Sequence, residues 1–170
     1  MYIGEYFHSL DEKGRVNFPV KLREELGDQF VLTKGLDGCL SAYSMEKWES
    51  ISDKVAGLPA AKARDLKRFM FSSAAIVNCD KQGRVLVTPN LRAYAGLEKE
   101  IAVIGASDHV EVWDKDLWLE RSGAMDSDSI AEAMDELGML VHIESPNFVS
   151  ELCKETFTEG GRDFDEHIRA

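Results

Sequence analysis

Hydrophobic and polar residues alternate along this chain in short runs, and each run closes on a turn signal. Residues 2 to 10 are rich in aromatic and branched side chains and lead into Asp11-Glu12-Lys13-Gly14, which suits a strand entering a hairpin. Val16 and Phe18 then alternate with Arg15 and Asn17, so one face of this second strand is apolar and the other polar. Pro19 stands where a short helix can begin, Leu22 and Leu26 share one face of it, and Gly27 stops it. Residues 30 to 34 and 39 to 43 flank Asp37-Gly38, a hairpin signal. Ser44 is an N-cap for a helix whose apolar positions are Trp48, Ile51, Val55 and Leu58, with Trp48 read as a core anchor. Pro59 interrupts that helix, and residues 60 to 71 resume it with Lys62, Arg64, Lys67 and Arg68. That connector is the most basic stretch of the chain, either a solvated helix face between two halves or a nucleic-acid contact.

The plan is then repeated. Asp80-Lys81-Gln82-Gly83-Arg84 lies 69 residues after Asp11-Glu12-Lys13-Gly14-Arg15, and at the same offset Leu22-Arg23 returns as Leu91-Arg92 and Gly27 as Gly96. Each copy has Asp at the first and Gly at the fourth position of a type I turn, because Asp accepts local backbone hydrogen bonds and Gly tolerates positive φ. An Arg leaves the turn at the same place in both copies. Residues 101 to 104 and 109 to 113 form the second hairpin, and Trp118 echoes Trp48. The copies are not identical: Trp118 follows Trp48 at an offset of 70, one residue more than the turns. Thr88 fills the slot of Pro19 with Pro89 one place later, which leaves the start of the second helix open, and Leu86 replaces the polar Asn17.

The doubled Asp-x-x-x-Arg spacing, the opening Met1-Tyr2-Ile3-Gly4-Glu5-Tyr6, the run Leu36-Asp37-Gly38-Cys39-Leu40 and the stretch Leu91-Arg92-Ala93-Tyr94-Ala95-Gly96-Leu97 together resemble the MraZ family over about residues 1 to 140. The resemblance implies a mostly-β α+β fold, a tandem swapped-hairpin β-barrel of AbrB-like type made by the two repeats, with a C-terminal helical tail. It also implies transcription regulation by rings that bind repeated promoter elements ahead of the division and cell-wall gene cluster, including the chain's own gene, with repression as the expected sense of control. The domain boundaries expected are 1–52 for the first half, 53–71 for the basic connector, 72–121 for the second half and 122–170 for an acidic tail.

Charge qualifies this picture. The net charge is −11, which argues against a polyanionic partner. Residues 122 to 170, however, hold three basic and twelve acidic residues, which leaves only −2 on residues 1 to 121. A nearly neutral body can still gather Lys and Arg on one face, and the acidic tail is expected to be dispensable for DNA binding. In it, Asp128, Ile130, Met134, Leu137 and Gly138 read as a capped amphipathic helix, and Ser145-Pro146 as the start of another. Cys39, Cys79 and Cys153 are odd in number and widely spaced, which suits reduced thiols rather than a disulfide framework or a zinc site. His8, His109, His142 and His167 stand singly, and no phosphate-cradling glycine loop or nucleophile elbow is present, so no catalytic residue, metal or cofactor is expected and the chain is read as a non-enzyme. No membrane span or signal peptide is evident in the sequence, and a cytoplasmic, nucleoid-associated protein with no small-molecule substrate is expected.

The candidate DNA contacts are Arg15 and Arg84 first, since a guanidinium forks onto phosphate oxygens or onto guanine, with Lys13, Lys81, Lys21, Arg23 and Arg92 as supporting charges. Asp11, Gly14, Asp80 and Gly83 are expected to shape the turns. The partners are then double-stranded promoter DNA and other copies of the chain. The competing reading is a ring-forming scaffold without DNA contact, in which these arginines make subunit salt bridges.

Overall fold

The computed structural model describes residues 1–139. Residues 1–124 form one compact unit, and the helix at 127–136 belongs to a second. In the first unit the elements run Tyr2–Ser9 (β1), Arg15–Asn17 (β2), Val20–Leu26 (α1), Gln29–Lys34 (β3), Leu40–Ser44 (β4), Met45–Ala56 (α2), Ala60–Met70 (α3), Ala75–Asn78 (β5), Arg84–Leu86 (β6), Pro89–Ala95 (α4), Glu100–Ser107 (β7), Val110–Asp114 (β8) and Lys115–Gly123 (α5).

The first two strands of each repeat do not form a ladder with each other; they pair with the opposite repeat. β1 lies antiparallel to β7 from Tyr2 opposite Ser107 to Ser9 opposite Glu100, and β5 lies antiparallel to β3 from Asn78 opposite Gln29 to Ala75 opposite Leu32. The six-stranded sheet therefore has the order β1-β7-β8-β4-β3-β5, and β2 pairs with β6 in a separate two-stranded ribbon. The circuit returns through two turns: β1 runs into β2 and β5 into β6, where pairing narrows to a Leu10–Val16 bridge and to the Asp11 and Asp80 N–H groups donating to the Arg15 and Arg84 carbonyls at 2.8 and 2.9 Å. The hairpins are swapped and the strands go round like a barrel, but ladder hydrogen bonding is continuous only across the six.

Period-2 alternation explains why the halves interlock. Val16, Phe18, Val85 and Val87 point inward from the ribbon strands and their extensions and are almost wholly buried, together with Phe30, Leu32, Leu40, Leu91, Ile101 and Val103 from both repeats. The Phe18 and Phe30 rings sit 5.0 Å apart. One core is thus filled from two copies, and the burial of each large side chain in it contributes about 1.5–3 kcal/mol.

Local signals set the element ends. Asp37 and Gly38 take φ of +59° and +84° in the turn between β3 and β4, the conformation for which Asp-Gly is suited. The Ser44 hydroxyl accepts the Lys47 N–H at 3.2 Å and caps α2. Trp48 is only half-buried, packed at a tilt between Tyr43 and Phe71 with ring centroids 6.0 and 4.7 Å away, and Leu58 lies beyond the end of α2 and is exposed. The displaced proline of the second copy moves no helix: Pro19 is the residue before α1, Thr88 the residue before α4, and both helices have seven residues. Pro89 simply occupies the first helical position, where its missing N–H costs nothing. In the second unit α6 (Ser127–Glu136) is capped not by Asp128 but by Asp126, whose carboxylate accepts the N–H groups of Asp128 and Ser129. Ser145-Pro146 and Cys153 lie outside the described residues; Cys39 is a buried free thiol and Cys79 a half-buried one.

Candidate nucleic-acid interface

The β2–β6 ribbon turns one face to the core and one outward. Its register sets Arg15 opposite Leu86, Val16 opposite Val85 and Asn17 opposite Arg84. With the valines inside, the outward face consists of Arg15, Asn17, Arg84 and Leu86, two of them half-buried arginines and two exposed. The polar Asn17 therefore stands beside Arg84, across the ribbon, and the apolar Leu86 stands beside Arg15.

Each arginine is held by the aspartate that opens its turn. Asp11 Oδ1 accepts the backbone N–H groups of Lys13 and Arg15 at 2.9 and 2.8 Å, and Oδ2 accepts Arg15 Nε–H at 2.7 Å. Asp80 does the same for Gln82, Arg84 and Arg84 Nε at 2.9, 2.9 and 2.8 Å. These bonds, the backbone N–H of the arginine first among them, hold both carboxyls below the usual carboxylate range. Because Nε is the bonded atom, the two terminal Nη groups are left as the outward donors, the pair a bidentate acceptor engages.

The turns are locked from the opposite repeat. The Gly83 carbonyl accepts the Phe18 N–H at 3.1 Å, and the Gly14 carbonyl accepts the Val87 N–H at 2.9 Å. Gly14 and Gly83 have φ of +78° and +76°, and the guanidinium of Arg92 crowds the place a Cβ on Gly14 would take, 2.7 Å from it at Cζ, while that of Arg23 overlaps the corresponding place on Gly83. Turn 1 thus gathers Lys13, Arg15 and Arg92, and turn 2 gathers Lys81, Arg84 and Arg23. Arg92 Nε is buried without a hydrogen-bond partner among the described residues, so packing against the glycine turn is what places it.

The supporting charges are placed in different ways. Lys13 and Lys81 are exposed on the turns themselves, and Lys21, exposed on α1, lines a groove of about 460 Å³ with Met1, Ile3, Tyr6, Glu24 and Glu25. Lys62, Arg64, Lys67 and Arg68 are exposed on α3, with Arg68 3.7 Å from Asp65. Among the described residues no group of three or more His, Cys, Asp or Glu is placed to hold a metal, and no helix is long and apolar enough to cross a membrane.

The model of the MraZ protein family, antitoxin-like by its description, matches this chain twice, over residues 1–69 and 70–137. This chain belongs to the MraZ family. It is 53% identical over 143 residues to the transcriptional regulator MraZ of Acetivibrio thermocellus, covering 82% of this chain and all of that protein. It is 51% identical over 142 residues to the regulators of the same name from Clostridium beijerinckii and Clostridium acetobutylicum, with the same coverage. The junction of the two MraZ matches falls at the C-terminal end of α3, so the repeat unit includes the connector helix.

Two features of this MraZ-family ribbon were not legible in the sequence. The register that sets Asn17 beside Arg84 and Leu86 beside Arg15 is one, and the reach of Arg23 and Arg92 to the turn of the other repeat is the other. The only advance signal was the shared offset of turn and helix arginine, which says that both are duplicated but not which turn each arginine meets.

Proposed function

We propose that the chain is a sequence-specific DNA-binding regulator of transcription that sets the outward face of its β2–β6 ribbon into the major groove. The observation that carries this reading is the pair of aspartate-held arginines, Arg15 and Arg84, at opposite corners of a two-stranded ribbon. The major groove admits such a ribbon, and an arginine offering both terminal nitrogens forks onto guanine O6 and N7. Lys13, Lys81, Arg23 and Arg92, two at each turn, supply phosphate contacts that fix register without reading sequence. Asp11, Gly14, Asp80 and Gly83 hold the turns and keep the arginines oriented. The names of the relatives support the regulatory role. On this reading the protein acts on the nucleoid in the cytoplasm, on repeated elements in the promoter of the division and cell-wall gene cluster that includes its own gene. It represses them, and the copies of the chain form a ring whose neighbouring ribbons engage neighbouring repeats. Linked sites share a high effective concentration, so a small contact per copy becomes a large one for the assembly.

The test is Arg15→Ala and Arg84→Ala measured against promoter DNA over a range of salt, with assembly followed by light scattering. Each lost base contact costs about 1–3 kcal/mol per site, while the mass of the assembly stays constant. Asn17 beside Arg84 makes the second arginine at least as important as the first. Normal DNA binding by an Arg15→Ala protein whose assembly has fallen apart would place the arginine in a subunit contact and favour the scaffold reading.

A further inference from the structure

The two strands of the ribbon descend from one repeated sequence, and their outward residues match at the 69-residue offset except in one place: Asn17 in β2 corresponds to Leu86 in β6. Leu86 is 53% exposed, while its neighbours Val85 and Val87 are wholly buried. It is no displaced core residue, because alternation points it outward beside Arg15 and no described part of the chain covers it. Resting on the DNA-binding reading above, we propose that Leu86 receives the 5-methyl group of a thymine next to the guanine engaged by Arg15.

Base edges in the major groove present hydrogen-bond donors and acceptors, and the one apolar group among them is the thymine methyl. A branched aliphatic side chain at one corner of a face otherwise made of two arginines and an amide gains nothing from any other base edge. Asn17, at the other end of the ribbon beside Arg84, has the donor and acceptor that match adenine N6 and N7. The two ends of the ribbon are therefore chemically different. The Arg15–Leu86 end reads a guanine with a methylated pyrimidine, the Arg84–Asn17 end a guanine with an adenine, and the chain docks on its element in one polarity.

Full-length protein titrated with a promoter duplex, and with duplexes in which each thymine of the element is replaced singly by deoxyuridine, tests this directly. Uracil lacks only the methyl group. Wild-type protein should lose about fourfold in affinity per site at one thymine position, the worth of one buried methyl-sized group. Leu86→Ala should lose a similar factor on the thymine duplex, become indifferent to the uracil substitution, and keep the salt dependence of the wild type, because the lost contact carries no charge. Leu86→Asn, which installs the residue of the other strand, should likewise ignore the methyl. A wild type indifferent to every thymine, or a Leu86→Ala protein that still discriminates thymine from uracil, overturns the assignment. If the wild type fails to bind either duplex, the DNA reading itself fails and the assignment with it.

Discussion

Replacing Gly83 by alanine asks whether each turn is held in shape by the opposite repeat. Gly83 has φ of +76°, and its added Cβ would overlap Arg23 Nη1 and approach Asn17 Oδ1 at 3.3 Å. Two effects follow, and they separate. The left-handed backbone costs an alanine roughly 1–2 kcal/mol. The collision is with the far end of a flexible side chain, so Arg23 swings away; little stability is lost, but a cation leaves the turn. Gly96→Ala is the control, because Gly96 has φ of +61° and nothing within 4 Å of the added carbon. In urea denaturation both variants should lose stability in the range of about 1–2 kcal/mol. In DNA titrations against salt only Gly83→Ala should differ from wild type, with a slope smaller by about 0.9, the signature of one lost phosphate contact. Combining Gly83→Ala with Arg23→Ala should cost no more affinity than Arg23→Ala alone, since both remove the same contact. A Gly83→Ala protein that binds DNA like Gly96→Ala, or a double variant whose affinity losses add, would refute the cross-repeat placement of Arg23.

Three further outcomes are expected. Asp11→Asn keeps an acceptor for the Lys13 and Arg15 N–H groups but sets an amide donor against Arg15 Nε; the chain should stay folded with DNA binding weakened. In wild type, binding should not respond to protonation of Asp11 or Asp80 until the pH falls below about 3.8, the ordinary Asp value, because both carboxyls are held lower; a loss of affinity between pH 6 and 5 that disappears in the Asn variants would contradict this. His109 stacks on Tyr43 and is clamped between the carboxylates of Glu111 and Asp108, the latter also bound by Lys47 at 3.0 Å, and the Glu111 bond foremost raises its pKa above the ordinary 6.5. A raised folded pKa stabilises below the unfolded value and is lost as pH rises through the folded one. Unfolding free energy should therefore fall between pH 6 and 8 in wild type more than in His109→Gln, and equal slopes for the two would show that the clamp contributes nothing.

What could be read in the sequence was what is decided locally. Asp and Gly at fixed places in a four-residue segment determine a turn whatever surrounds it, and the Gly14 N–H indeed donates to the Asp11 carbonyl at 2.9 Å, as Gly83 does to Asp80. Asp37-Gly38 and the Ser44 cap were legible for the same reason. Pairing was not. Tyr2–Ser9 has the composition of a strand and leads straight into the turn before Arg15–Asn17, yet its ladder partner is β7 of the opposite repeat, a distant pairing that its own residues do not encode. Trp48 shows the limit of periodicity: its spacing matches a core position, yet the ring lies at the margin between Tyr43 and Phe71. Asp126 and Asp128 are equally good caps by type, and the choice between them depends on where the chain enters the helix.

The swap of strands between repeats means that neither copy is complete alone. A single repeat would keep the β3–β4 hairpin but leave β1 and β5 without ladders, and its half of the core would face water. The chain is best understood as two subunits of an intertwined dimer that happen to share one backbone through α2 and α3. The covalent link fixes their one-to-one ratio and frees the copies to diverge, so that a symmetric ribbon can carry an amide on one strand and an aliphatic group on the other. Divergence on the outside is tolerated because the inward valines, one from each copy, still meet at Val16 and Val85.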